Sequence, residues 1–155
     1  MDTLRQSGSI IIDRSPEELY DMVADVARTG EWSPMCTACW WDEGDGPNVG
    51  ARFIGRNERQ GQTWETHSEV VIADRGRQFD WVVVEPPTRA RWGYSFAAVD
   101  GGTELTETWE LPPEGSAFFE KMFGDDAAKE IGKRSDWAKS GIGATLAAIK
   151  GIAEA

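Results

Sequence analysis

From Cys39 to Glu110 apolar and polar residues alternate, and the alternation breaks at Asp42 to Gly50, Asn57 to Gly61, Asp74 to Arg77, Glu85 to Thr88 and Asp100 to Gly102. A period of two belongs to strands with one buried face, and short breaks rich in Gly, Asp, Asn and Pro belong to hairpins, so this segment predicts an antiparallel meander of about six strands. Ile10, Ile11 and Ile12 ahead of it add another strand, giving about seven. That strand runs directly into a helix start, with Ser15 as N-cap, Pro16 at the first helical position and Glu18 completing a capping box. Leu19, Met22, Val23 and Val26 keep helical spacing as far as Gly30, and a short helical turn or loop is expected around Glu31-Trp32-Ser33-Pro34. After the meander, Pro112 and Pro113 introduce two helical stretches, one around Ser116 to Phe123 and a longer one reaching the C-terminus. In the longer one Ile142, Thr145, Ile149 and Ile152 share a face, with Leu146 beside them.

No repeat, low-complexity segment or linker divides the chain, so residues 1–155 read as a single α+β domain. Sixteen basic against 27 acidic residues leave a formal charge of −11, the wrong sign for gripping a phosphate backbone, which argues against a nucleic-acid partner. No stretch approaches the roughly 18 uncharged apolar residues of a membrane span, and Met1 to Ser9 lacks the apolar middle of a secretory signal. A cytoplasmic protein without membrane insertion is expected. Cys36 and Cys39 are too few for a disulfide framework.

Eight Trp, against two Tyr and one His, must pack somewhere. Phasing each strand on its largest aromatic residue puts Trp92, Tyr94, Phe96 and Ala98 on one inward face, joined by Phe79, Trp81 and Val83, by Leu105, Glu107 and Trp109, and by Phe53, Gly55 and Asn57. Trp64, Thr66, Ser68, Val70 and Ile72 complete the inward set. The outward faces hold Arg52, Arg56, Glu65, His67, Glu69, Asp80, Glu104 and Glu110, a composition suited to water. No Arg or Lys falls inward on these strands, and Tyr94 is the one inward tyrosine.

The phasing sets Asn57, Thr66, Ser68 and Glu107 among aromatic rings. An unpartnered buried carboxylate costs several kcal/mol, so Glu107 is paired, protonated, or facing a space filled by water or ligand; a solvated position near a strand end, or a bond to neighbouring backbone, would also satisfy it. A mostly apolar concavity with a few convergent polar groups is the pattern of a small-molecule site.

This order of elements, together with Ser15-Pro16-Glu17-Glu18-Leu19-Tyr20-Asp21-Met22-Val23-Ala24-Asp25, Glu31-Trp32-Ser33-Pro34, Gly50-Ala51-Arg52-Phe53-Ile54-Gly55-Arg56-Asn57, Trp64 with Ser68 and Val70, Phe79 with Trp81, Gly102-Thr103-Glu104-Leu105-Thr106-Glu107-Thr108-Trp109 and Thr145-Leu146-Ala147-Ala148-Ile149-Lys150, resembles the START-like, pollen-allergen-like helix-grip superfamily (SRPBCC), and within it the actinobacterial type of the polyketide cyclase/dehydrase branch. The resemblance covers almost the whole chain. It implies an antiparallel sheet wrapped around a long C-terminal helix, with a cavity between them that members use for lipids, polyketides, sterols or hormones, and sometimes for cyclisation or hydrolysis. It implies a pocket more strongly than a reaction.

Other chemistry is weaker. Cys36-x-x-Cys39 has metal-chelating spacing, but a structural zinc needs four ligands and a single His is available, so two small, mostly buried cysteines are expected and no metal or cofactor is assigned. His67 phases outward between Glu65 and Glu69, as a surface residue. Gly141-x-Gly143 lies in the last helical pattern and would thin that helix where it spans the pocket or meets the sheet. Trp32, Trp40 and Trp41 fall near the expected cavity mouth, as gates or as core, and Ala117-Phe118-Phe119 to Phe123 as a lid or as core.

Three functions fit. The first is binding or transport of a hydrophobic, aromatic or polycyclic molecule, held by Trp64, Trp81, Trp92, Tyr94, Phe96 and Trp109 and oriented by Asn57, Thr66, Ser68 and Glu107; a homodimer is compatible with it. The second is a cyclase/dehydratase-type enzyme with Glu107 as acid or base and Tyr94 or Asn57 positioning a carbonyl. The third is a regulatory, antitoxin-like module whose acidic surface meets a basic protein and whose cavity is filled by its own side chains.

Overall fold

In the computed structural model, which describes residues 2–155, the chain forms β1 (Leu4–Ile12), α1 (Pro16–Val23), β2 (Cys36–Glu43), β3 (Arg52–Arg59), β4 (Gln62–Asp74), β5 (Gln78–Glu85), β6 (Arg91–Val99), β7 (Gly102–Leu111), α2 (Pro113–Phe123) and α3 (Ala127–Ala153). The capping box is made as expected: Ser15 Oγ accepts from Glu18 N at 3.2 Å while Glu18 Oε1 accepts from Ser15 N at 3.4 Å. The helix ends at Val23, earlier than the spacing suggested, and a 3-10 segment over Val26–Glu31 absorbs Gly30.

The seven strands form one antiparallel sheet in the order β1-β7-β6-β5-β4-β3-β2. β1 therefore crosses to pair with β7, and the rest is a meander. α3 lies mainly along β1, with α2 packed on α3. Ile142, Thr145, Leu146 and Ile149 are buried and Ile152 is partly so, the face read from the sequence. Close packing centres on Gly8, where a Cβ would stand 2.9 Å from Ile142 Cγ2. α1 covers another part of the concave face, its Tyr20 ring lying 6.1 Å from Phe79 and 5.6 Å from Phe96. No helix among the described residues is long and apolar enough to cross a membrane.

Four expectations are corrected. Ile72 does not face inward: the β4–β5 register shifts between Val70 and Ile72, so that Val70 stands opposite Trp81, Ile72 opposite Asp80 and Ala73 opposite Phe79. The extra residue at Val71 is a bulge, which reverses parity beyond it. Ala98 keeps its register opposite Thr103 but is exposed at the strand end. Asp80 is on the outer face but is only 5% exposed, because it lies over side-chain-free Gly93 and is enclosed by Arg91 Nη2 at 2.8 Å and Gln78 Nε2 at 2.9 Å. Gly141 thins α3 toward Pro34, 3.8 Å from where its Cβ would be, and Gly143 faces open space, so neither glycine serves a contact with the sheet.

Candidate functional site

Cross-strand register arranges the concave face in rows. One row is Ala73, Phe79, Tyr94, Glu107 and Gly8. The next is Val70, Trp81, Trp92, Trp109 and Gln6, which sets three indoles side by side on β5, β6 and β7. A third holds Trp41, Phe53, Ser68 and Val83, a fourth Cys39, Gly55 and Thr66, and a fifth Cys36, Asn57 and Trp64. Beyond the fifth, Arg59 stands opposite Gln62. Partners in a row share a face, so parity alone brings these side chains to one side of the sheet.

Of the ten binding residues expected from sequence, Ser68, Tyr94, Phe96, Glu107 and Trp109 lie deep, and Asn57, Trp64, Thr66, Trp81 and Trp92 are half-buried. A chain of rings links the two groups: Trp41 to Phe53 at 5.7 Å, Phe53 to Trp81 at 5.8 Å, and Trp81 to Tyr94 at 5.8 Å between centroids. Asn57 Nδ2 donates to Thr66 Oγ1 at 3.3 Å and to Gly55 O at 3.4 Å, which fixes the amide at the shallow end.

Glu107 is 4% exposed, and its Oε1 is buried with no hydrogen-bond partner. Burial among rings raises its pKa to about 8, and the Tyr94 hydroxyl, directly across on β6, pulls the other way. Burial also pushes the Tyr94 hydroxyl well above its ordinary value, the Glu107 charge adds to that, and the Trp32 indole opposes it. At neutral pH Glu107 is therefore mostly a neutral acid, able to donate as well as accept.

The deep end of the concave face is filled by the protein's own rings and by Ile142, Leu146 and Ile149 of α3, while Asn57, Trp64 and Thr66 at its β3 and β4 end are half-buried. Two surface hollows are present, the second of them bordered by Trp64. One of about 290 Å³ sits on the outer face around Asp80, Gly93 and Arg91, and one of about 430 Å³ lies at the β3–β4 hairpin around Arg56, Thr63, Trp64 and Glu65. Trp32 is buried beside Tyr94 as core, and Trp40 is turned outward under Arg56, 5.7 Å from the guanidinium, so of the three mouth tryptophans Trp41 alone is half-buried on the concave face, 5.7 Å from Phe53. Phe119 is buried with Phe118 packed against the core, which makes α2 a packed element in place of a lid.

Cys36 Sγ donates to Ala38 O at 3.2 Å. Hydrogen bonding between the two thiols lowers the Cys36 pKa and, with burial, pushes Cys39 up.

Arg59 and Trp137 were missed. The break at Asn57 to Gly61 reads as a connection, yet β3 continues to Arg59 and turns only at Gln60 and Gly61, both with positive φ. Arg59 thus keeps the inward parity of Asn57, contrary to the expectation of no inward cation, and its guanidinium lies 4.4 Å from the Trp137 ring centroid on α3. The two-residue spacing from Asn57 was the available signal.

Comparison with known proteins agrees with this fold. The family described as "Polyketide cyclase / dehydrase and lipid transport" matches residues 3–142. The solution structure of the Polyketide_cyc-like protein Cgl2372 from Corynebacterium glutamicum is 46% identical, with 99% of this chain and 93% of that one covered and a TM-score of 0.71. The di-domain ARO/CYC BexL of the BE-7585A biosynthetic pathway shares the fold at 21% identity and TM-score 0.73, this chain spanning 50% of it. Ginseng major latex-like protein 151 from Panax ginseng does so at 14% identity and TM-score 0.61, over 83% of this chain and 98% of that one. Among curated proteins no match is found. With the match running through nearly all of the sheet and into α3, the chain belongs to the polyketide cyclase/dehydrase and lipid transport family, a helix-grip α+β protein.

Proposed function

We propose that this protein binds a hydrophobic small molecule with aromatic or polycyclic character on the concave face of the sheet. The observation that carries the reading is the run of half-buried rings, Trp41, Trp64, Trp81 and Trp92, on one concave face that also presents Asn57, Thr66 and, deeper, a neutral Glu107. Indoles left partly uncovered beside a few fixed polar groups offer apolar area for rings and a small number of orienting bonds. The names of two structural neighbours, BexL and StfQ, attach them to biosynthetic pathways as ARO/CYC proteins, and the family description includes lipid transport. The reading takes the protein as cytoplasmic and its partner as a small molecule in preference to nucleic acid, in keeping with a charge of −11. Native mass spectrometry of tag-free protein purified without denaturant is expected to show a co-purifying hydrophobic molecule that Trp64→Ala loses, and the same spectrum reads monomer or homodimer. Protein that carries none, and whose indole emission is unmoved by naphthalene-ring compounds, would refute the reading.

The Glu107–Tyr94 pair favours a second reading, cyclase or dehydratase chemistry. A carboxyl that exchanges its proton near pH 8 suits an acid or base working close to neutrality, with Tyr94 or Asn57 positioning a carbonyl. Its signature would be turnover abolished by Glu107→Gln while binding of the same molecule persists.

A further inference from the structure

Cys36 and Cys39 are three residues apart on β2, a spacing that in a regular strand sends two side chains to opposite faces. The β2–β3 register overrides this. It shifts between Cys36 and Ala38, so that Cys36 stands opposite Asn57 and Cys39 opposite Gly55, both on the concave face, with Thr37 as the extra residue of a bulge. The bulge is fixed from several sides. Ser33 Oγ accepts from Cys36 N at 2.9 Å and from Met35 N at 3.2 Å, and Thr37 Oγ1 donates to Arg56 O at 3.3 Å. The Thr37 carbonyl oxygen lies against Gly30, 2.9 Å from where a Cβ would stand. Turning both thiols to one face brings them within hydrogen-bonding reach of each other, and their surroundings differ: Cys36 is half-buried, Cys39 buried. The hydrogen bond from Cys39 lowers the Cys36 pKa against the effect of burial, whereas the same bond, together with burial, pushes Cys39 up. An accessible thiol with raised thiolate character beside a protonated one is the arrangement of an attacking and a resolving cysteine.

We propose that Cys36 and Cys39 form a reversible oxidation site, joined as an intramolecular disulfide by peroxide. Cys36, as thiolate, attacks one oxygen of hydrogen peroxide; the O–O bond breaks, the sulfur is oxidised to a sulfenic acid, and the other oxygen leaves as hydroxide, which takes up the proton that Cys36 released. Cys39 Sγ then attacks the Cys36 sulfur. The S–S bond forms as the sulfenic S–O bond breaks, and the Cys39 proton leaves with the departing hydroxide as water. Two thiols and one peroxide thus become one disulfide and two waters. Asn57 and Gly55 are two residues apart, which sets the Cα atoms of Cys36 and Cys39 about 6.5 Å apart, near the upper end of the span a disulfide tolerates. Such a bond is strained and easily reduced, which suits a reversible site. Cys36 Sγ lies 3.7 Å from the Cβ position of Gly55, and Thr66 Oγ1 borders that position at 3.4 Å, so the change falls beside Asn57 and Thr66. This chemistry needs no bound ligand and stands apart from the ligand-binding reading above.

The test exposes tag-free, folded wild type at pH 7 to excess hydrogen peroxide and follows intact mass, free thiols and the mapped peptides. Expected is a monomer lighter by two hydrogens, the loss mapped to Cys36 and Cys39, with both thiols restored by millimolar glutathione. Cys39→Ser should stop at a sulfenic acid that dimedone traps on Cys36, and Cys36→Ser should lose its remaining thiol about tenfold or more slowly than Cys39→Ser does. Wild type that keeps both thiols, or gains oxygen on its cysteines without joining them, overturns the site. A bond between two chains overturns the intramolecular closure, and a disulfide that glutathione leaves intact overturns its reversibility. Equal rates in the two variants overturn the order of attack. Should either variant fail to fold, the wild-type mass and peptide map decide the pairing.

Discussion

Two influences of opposite sign act on Glu107, and burial is the larger. In the unfolded chain the carboxyl ionises near 4.5 and in the folded protein at about 8. The folded state thus holds the proton more tightly. Stability tied to this group is complete below pH 4.5 and is lost as pH rises through about 8. Glu107→Gln, which is neutral throughout, should flatten that loss and be more stable than wild type at pH 8 by at least about 1 kcal/mol, as read by urea denaturation at pH 5 and pH 8. A loss above about 2 kcal/mol at pH 7 would instead make the carboxylate a structural partner. Gly93 has the opposite sensitivity, since a Cβ there would land on the Asp80 carboxylate. Gly93→Ala should cost about 2–3 kcal/mol by the same assay. The inward place of Glu107 was legible from parity with Leu105 and Trp109. The enclosure of Asp80 was not, because it depends on a glycine one strand away that is invisible to the strand's own alternation.

Elements differ in how much of their geometry a local pattern can carry. The capping box at Ser15 and the buried stripe of α3 are local, and both were readable. The bulge at Val71 is a property of the β4–β5 pair, so the alternation of β4 alone sent Ile72 to the wrong face. Likewise the end of β3 is decided by where the chain takes positive φ, at Gln60 and Gly61, two residues later than the polar composition from Asn57 onward implied. That difference hid Arg59. Helix placement also turns on a nonlocal fit, the approach of Ile142 to Gly8. Gly8→Val should push α3 from β1 and destabilise the protein by about 2 kcal/mol, measured as a lower denaturation midpoint with unchanged slope.

At the scale of the molecule, the sheet order that brings Gly8 beside Glu107 also sets how the chain assembles. β2 to β7 can pair successively through short hairpins, but β1 pairs with β7 across nearly the whole sequence, Leu4 opposite Leu111 and Ile12 opposite Thr103. Of the strands, β1 is made first on the ribosome, and its partner emerges only after the five strands between them. Non-local pairing of this kind is slow, because the entropy of closing the loop is spent before any contact repays it. Until then the inner edge of β7 stands open, and with it the apolar face that α3 will cover. Substitutions along the β1–β7 seam should therefore act on the unfolding rate more than on the refolding rate, and Gly8→Val, followed by stopped-flow indole emission, should steepen loss of the native state while leaving its formation nearly unchanged.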